Sequence, residues 1–311
     1  MPIDAPLLSR QSVFAAKVET TTGTDASLAA SDGAMNVYDA SIVPDIPANE
    51  RQGQSSLSPL PTIPGARAAT ITLRTELHGS GSSGAMPLWA DTFLKAAGFG
   101  YAAGVYTVAT GSSSFTSLTC GHYIDGHLHK ALGCVFDLNI DAQVGTPAQC
   151  NWTGRGAWQA PTAVALIAPT YPTVIPPRVA SATVTIGGTA YKWSRVGIAM
   201  NNGVVLREDA SKVSGYISGY IANRRIRLTV DPEEVALGTK DWYADWMAST
   251  ELAFSCAIGS AANNTITIAM PKCSIERINP ASRNGLHVAD ITFVANRSAA
   301  AGDDELTITF S

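Results

Sequence analysis

Residues 65–99 read GARAATITLRTELHGSGSSGAMPLWADTFLKAAGF, and three kinds of local order succeed one another in them. Ala69, Ile71, Leu73, Thr75 and Leu77 alternate with polar neighbours, the period-two pattern of a half-buried strand. The run HGSGSSGAMP (78–87) has no such period and is crowded with glycine and serine, so a flexible loop is expected. It lacks the Gly-Lys-Ser/Thr ending of a phosphate-binding loop. Leu88, Trp89, Phe93 and Leu94 then share one helical face, with Pro87 near the start and Gly98 past the end. That spacing predicts an amphipathic helix of about three turns. A strand that leads through a loop to a tryptophan-bearing helix is the element from which the rest of the chain can be read.

Downstream, alternating segments follow: FTSLTCGHYIDG (115–126), HLHKALGCVFDLNIDAQVG (127–145) and AQCNWTGRGAW (148–158). APTYPTVIPPR (168–178) carries four prolines in eleven residues, which excludes a central strand or a helix and places a boundary there. Strands resume over 180–209, with Asn202-Gly203 read as a hairpin turn, and again in RRIRLTVDPEE (224–234). GTKDWYADWMAS (238–249) reads as a short helix, with Trp242 and Trp246 expected to anchor it as Trp89 anchors the first. ELAFSCAIG (251–259), NTITIAMPKCSIERI (264–278), HVADITFVANR (287–297) and DELTITF (304–310) read as strands. Upstream, residues 21–62 are rich in Thr, Ser, Ala, Gly and Pro with little periodicity, so 1–64 is expected to be an extended arm or long loop rather than a packed element.

The two halves echo each other. A strand (Ile71–Leu77; Ile226–Val230) precedes a helix (Trp89; Trp242 and Trp246), then a cysteine strand (Cys134; Cys273), a glycine loop (Gly145; Gly285) and an aromatic strand (Trp152; Phe293). The shared order argues for two copies of one unit, 65–167 and 179–311, joined by the proline-rich linker 168–178. The rival reading is a single continuous β-fold in which these motifs recur by chance.

Composition narrows the function. Of 311 residues 46% are hydrophobic and 15% charged, enough for a sizeable core, and the net charge of −4 leaves no basic surface to grip nucleic acid. Five cysteines (120, 134, 150, 256, 273) lack paired metal-site spacing and read as reduced, buried small apolar residues. MPIDAPLLSRQSVF (1–14) shows no basic stretch followed by an apolar one, so no secretory signal and no membrane partner are expected. The basic cluster NRRIR (223–227) is expected to pair with acidic groups between subunits. The acidic runs Glu233-Glu234 and Asp303-Asp304-Glu305 are expected to be solvated.

One stretch looks chemical. CGHYIDGHLHKALGC (120–134) holds His122, His127 and His129 around Asp125. On a strand His127 and His129 point to one face, and His122 can join them across an Asp125-Gly126 turn, so a metal site is geometrically possible. Against it, the turn accounts for Asp125 unaided, and no HExxH, cysteine pair or carboxylate cluster accompanies the imidazoles. No residue is therefore assigned as catalytic, cofactor-binding or metal-binding. A metal-dependent enzyme or a carbohydrate-binding β-sandwich using these three histidines stands as the alternative from another class.

The segment at 65–99, DGHLHKALGCVFDLNIDAQVGTPAQCNWTGRG (125–156) and YKWSRVGIAMNNGVVLRED (191–209) together resemble the tail tube (major tail) proteins of long-tailed bacteriophages. The likeness spans most of 65–311. It implies a mainly β fold of two related units, each made of two packed antiparallel sheets bent into a partial barrel and flanked by a short helix. It implies a non-enzymatic virion protein without cofactors, made in the host bacterial cytoplasm. Its copies would form rings of three two-unit chains, or of six, stacked into a tube. Its partners would be itself, a tape measure protein, a tail terminator and double-stranded DNA that passes through without specific binding. A ring-forming tail terminator or a secretion-type tube protein is the nearer alternative.

Overall fold

The computed structural model describes residues 7–111 and 116–311. It is 50% strand and 6% helix, and every strand pairing is antiparallel, so the fold is mainly β, with no closed barrel.

In the first half β1 (Ser12–Val18), β2 (Val37–Asp45), the hairpin of β3 (Ala48–Gln52) and β4 (Pro59–Pro64), and β5 (Ala68–Glu76) precede α1 (Leu88–Ala96). After it come β6 (Phe99–Ala102), β7 (Val105–Val108), β8 (Leu118–Ile124), β9 (His127–Gln143) and β10 (Gln149–Ala163). The second half begins with β11 (Thr183–Ile186), β12 (Thr189–Ala190) and β13 (Arg195–Ala199), followed by the hairpin of β14 (Val204–Glu208) and β15 (Tyr216–Ile221). Then β16 (Arg227–Val230) precedes α2 (Trp242–Met247), β17 (Leu252–Ile258), β18 (Ile266–Arg283), β19 (Leu286–Ala295) and β20 (Thr307–Phe310). Between Ala163 and Thr183 the chain forms no strand and makes one isolated bridge, Arg178 to Pro147.

The same neighbour order occurs twice. The first half pairs β1-β8-β9-β10-β5-β2 and the second β11-β17-β18-β19-β16-β13. The match extends to single residues. Cys134 lies opposite Leu118 and Cys273 opposite Leu252, and in both ladders an irregularity follows two residues further along β8 and β17. Trp152 is flanked by Leu138 and Leu73, as Ile291 is by Ile278 and Val230. The hairpins agree too, with Ala48 opposite Pro64 and Asn49 opposite Ile63 in one, and Val204 opposite Ile221 and Val205 opposite Tyr220 in the other. At one equivalent pair the bulk has changed strands. Phe136 faces Gly154, whereas Ile275 faces Phe293. A Cβ on Gly154 would sit 2.5 Å from the Phe136 ring, so glycine is what admits that ring.

The expectation of an unpacked arm over 1–64 does not hold for Ser12–Val18 and Val37–Asp45. These are strands on β8 and β5, with Phe14 and Ile42 buried. Neither strand alternates: Val13 to Ala16 are buried in an unbroken run, and β2 carries two aspartates, a proline and a register shift between Tyr38 and Ser41. The β3–β4 hairpin is different, since every one of its strand residues is exposed.

β9 is long enough to belong to two layers. β8 occupies one of its edges over 127–134, and β13 of the second half occupies the same edge over 139–143. The layers expected within each unit are therefore continuous through β9, and β2 lies against β8 without pairing to it. The core between them is aromatic. Phe93 of α1 meets the Phe136 ring edge-on at 5.3 Å and Trp152 at 5.3 Å, and Trp89 and Trp152 are 6.4 Å apart. Gly98, at φ +86°, ends the helix in a conformation that costs glycine least. α2 is anchored by Trp242 alone, against Tyr191 and Phe293. Trp246, expected in the core, is 39% exposed because α2 is only six residues long and turns that face outward.

Candidate assembly surface

The two halves meet edge to edge. β13 is the outermost strand of the second half, and it pairs with β9 of the first from Arg195 opposite Gln143 to Ala199 opposite Asn139. Met200 N–H donates to Leu138 O at 2.9 Å and Val144 N–H to Ser194 O at 3.0 Å, so the ladder runs through both ends of the contact. The β14–β15 hairpin follows directly and lies across β9 and β10. There Gly133 and Gly219 let the backbones close up, since a Cβ on Gly133 would stand 2.6 Å from the Cα of Ser218. A second link pairs β20 with β7.

Residues around the joint hold its geometry. Asn202 was read as part of a hairpin turn with Gly203, but β13 and β14 do not pair with each other. Asn202 is instead buried, its N–H donating to Asp137 Oδ1 at 2.8 Å and its amide to Ala97 O and Phe136 O at 3.0 and 3.1 Å. Burial raises the Asp137 carboxyl above its usual range, against the opposing pull of the Asn202 and Leu138 N–H groups. At the start of β13, Asp231 accepts the N–H groups of Ser194 and Arg195 at 2.8 Å each, the Ser194 hydroxyl, and Arg283 at 2.5 Å. Burial pushes this carboxyl up, but the Ser194 hydroxyl, the two N–H groups and Arg283 outweigh it and hold the group below the usual carboxylate range.

A pH dependence follows. A carboxyl held low in the fold stabilises above its unfolded pKa and loses that contribution as pH falls through the folded value. Asp231→Asn is therefore expected to lower stability at pH 7 by about 1–3 kcal/mol. Denaturant titrations should show the gap to the parent closing as pH falls below about 4, the ordinary aspartate range. A gap unchanged down to pH 2 would contradict the assignment.

The charged clusters pair within the chain. Arg224 pairs with Glu305 at 2.6 Å and Asp303 at 3.2 Å, and Arg225 and Arg227 pair with Glu276 at 2.9 and 2.7 Å. The arginines of NRRIR, expected to pair with acidic groups between subunits, thus have acidic partners within the chain. The acidic groups expected to be solvated are engaged as well. Glu233 meets Arg283, Glu234 meets His287, and Asp304 accepts the N–H groups of Ser298 and Ala299.

The histidine stretch forms a hairpin, with Asp125 (φ +38°) and Gly126 (φ +94°) at its turn. His122 lies directly opposite His129, and His127 opposite Ile124. Asp125 is spent on the chain, accepting Leu8 N–H at 2.8 Å. Burial, then the adjacent His129, lower the His122 pKa. Among the described residues no three His, Cys, Asp or Glu side chains converge as a metal site would require. All five cysteines are free and buried, and burial pushes the thiols of Cys256 and Cys273 up to about 12. No helix among the described residues is long and apolar enough to cross a membrane.

What remains as surface chemistry is hydrogen-bonding capacity along open strand edges, among them the equivalents of the two edges that meet in the β13–β9 joint. β2 pairs with β5 on one side only, and the 278–283 stretch of β18 pairs with β19 on one side only, among the described residues. The motif signals in the sequence pointed to histidines. The β2 edge was hidden because its strand was not legible. A family model described as phage tail tube protein matches residues 9–311 of the chain. A comparison with curated proteins finds no match.

Proposed function

This chain belongs to the phage tail tube protein family, a structural family of virion components, and on that basis we propose that its copies close into rings that stack into the tube conducting the genome. The observation that carries this reading is the β13–β9 joint. Two equivalent blocks of the chain already join side by side, through sheet edges, with a hairpin of one laid over the other. Continuing that join around an axis leaves no edge exposed, which is how β-proteins avoid uncontrolled edge pairing. With the blocks on either side of the proline-rich 168–178 acting as two ring units, three chains supply the six units of a ring.

In this reading no copy does chemistry. The lumen passes double-stranded DNA without gripping it, consistent with a chain of net charge −4 whose basic cluster is engaged internally. A tape measure protein inside the tube and a terminator at its end are the partners this architecture needs. Negative-stain microscopy of the purified chain and of virions tests it. Stacked rings with a central channel are expected. Isolated rings that never stack would favour a terminator, and solitary compact particles without a pore would overturn the proposal.

A further inference from the structure

We infer that the ring closes by repeating between chains the joint already present within one. The outer edge of β2 on one copy pairs with residues 278–283 of β18 on the next, and its β3–β4 hairpin lies across β18 and β19 of that copy. The inference rests on the reading that copies of the chain assemble into rings.

The residue equivalences fix the register. Ile42 stands to Ile71 of β5 as Ile198 stands to Leu228 of β16, so Ile42 corresponds to Ile198 and Val43 to Ala199. On the other side Leu138 corresponds to Ile278, and thence Asn139 to Asn279 and Ile140 to Pro280. Within the chain Ile198 faces Ile140 and Ala199 faces Asn139. Between chains Ile42 would therefore face Pro280, Val43 would face Asn279, and Pro44 would face Ile278.

The prolines agree with this placement. Trp158 N–H donates to Arg67 O, so the odd-numbered residues of β5 turn toward β10 and Pro44, opposite Ala69, turns to the open edge. Ala289 N–H goes to Pro232 O, so its partner Pro280 also turns to the open edge. Each proline thus withholds a donor where stray pairing would otherwise begin. In the inferred register each proline meets a residue that keeps its own N–H. Ile42 donates to Pro280 O, and Ile278 donates to Pro44 O. A slip that sets Pro44 against Pro280 forfeits both bonds, so the prolines also select the register.

The hairpin is the second, independent support. β14–β15 has a seat within the chain, with Ser218 buried in it, whereas its equivalent β3–β4 projects with Leu57, Leu60 and Ile63 exposed. The seat equivalent to β9–β10 is β18–β19, reached in the same step that pairs β2 with β18.

The test is cross-linking in assembled tubes. Val43→Cys with Asn279→Cys places thiols at a position equivalent to Ala199 and Asn139, a close pair without mutual hydrogen bonds and of a geometry that accepts a disulfide. Mild oxidation is expected to give covalent dimers and a closed species of three chains, while Val43→Cys with Ala281→Cys, one step out of phase, links far less. In the unaltered protein, hydrogen exchange over 37–45 and 278–283 is expected to slow at least tenfold on assembly. Tubes in which the offset pair links better, or in which neither segment gains protection, would overturn the inference while leaving the tube reading intact. Unaltered protein that never leaves the monomer would end both.

Discussion

Trp89→Ala is expected to lower the free energy of unfolding by about 3–5 kcal/mol. The side chain is 1% exposed and fixes a helix of nine residues, too short to persist on its own propensity. Its indole N–H donates to His78 O at 3.2 Å, tying the helix back to the end of β5. Its ring stands 6.4 Å from Trp152 and 5.9 Å from Phe310. Phe310 belongs to β20, so this one residue bridges both halves. Truncation removes the transfer contribution of the indole, opens a cavity that the surrounding sheets cannot fill, and leaves a buried carbonyl without its donor. Equilibrium denaturation of Trp89→Ala against Trp89→Phe checks this. The phenylalanine variant should lose less, because it retains most of the apolar area. An unchanged midpoint for alanine would mean that α1 is not packed as described.

Glu19→Ala is expected to cost about 2–6 kcal/mol, through the hydrogen bonds it leaves unmade. Glu19 is 8% exposed and its four partners are neutral. It accepts the N–H groups of Gly23 at 2.6 Å and Gly133 at 2.8 Å, and the hydroxyls of Ser117 and Thr119 at 2.7 and 3.0 Å. The hydroxyls can turn to other acceptors when the carboxylate is removed, but the two amides cannot, and each buried orphan costs about 1–3 kcal/mol. The Gly133 amide lies in the bulge of β9 beneath Ser218, so the loss should also loosen the β14–β15 hairpin. Hydrogen exchange should speed up over 216–221 and not over 286–295. Glu19→Gln should recover only part of the stability, since its amide nitrogen sets a donor against donors. Full recovery would show that a neutral acceptor suffices.

Much of the fold could be read from the sequence, and the exceptions have physical causes. The helix over 88–96 was legible because proline, an apolar face and glycine coincide there. The shared order of elements was legible from Cys134 and Cys273, which lie opposite Leu118 and Leu252, but the sequence matched Trp152 with Phe293, whereas the pairing sets Trp152 in the place of Ile291. β1 and β2 were not legible, since the buried run Val13 to Ala16 has no alternation and β2 is interrupted by Asp39, Pro44 and a register shift after Tyr38. Asn202-Gly203 has the composition of a turn, yet the chain leaves there for another layer, and Asn202 is spent on carbonyls of the first half. The histidines drew attention by residue type alone. The open edges are marked in the sequence only by Pro44 and Pro280, which read as strand breakers until the pairing of every strand shows which edge each faces.

The joint between β13 and β9 has one further consequence. Its partners share a covalent chain, so forming it surrenders none of the translational freedom that two separate molecules would lose, and its strength is independent of concentration. Dilution therefore acts on only half of the seams around such a ring. An assembly of this chain would come apart into pairs of units, never into single ones, and the reaction order of its formation would count chains and not units.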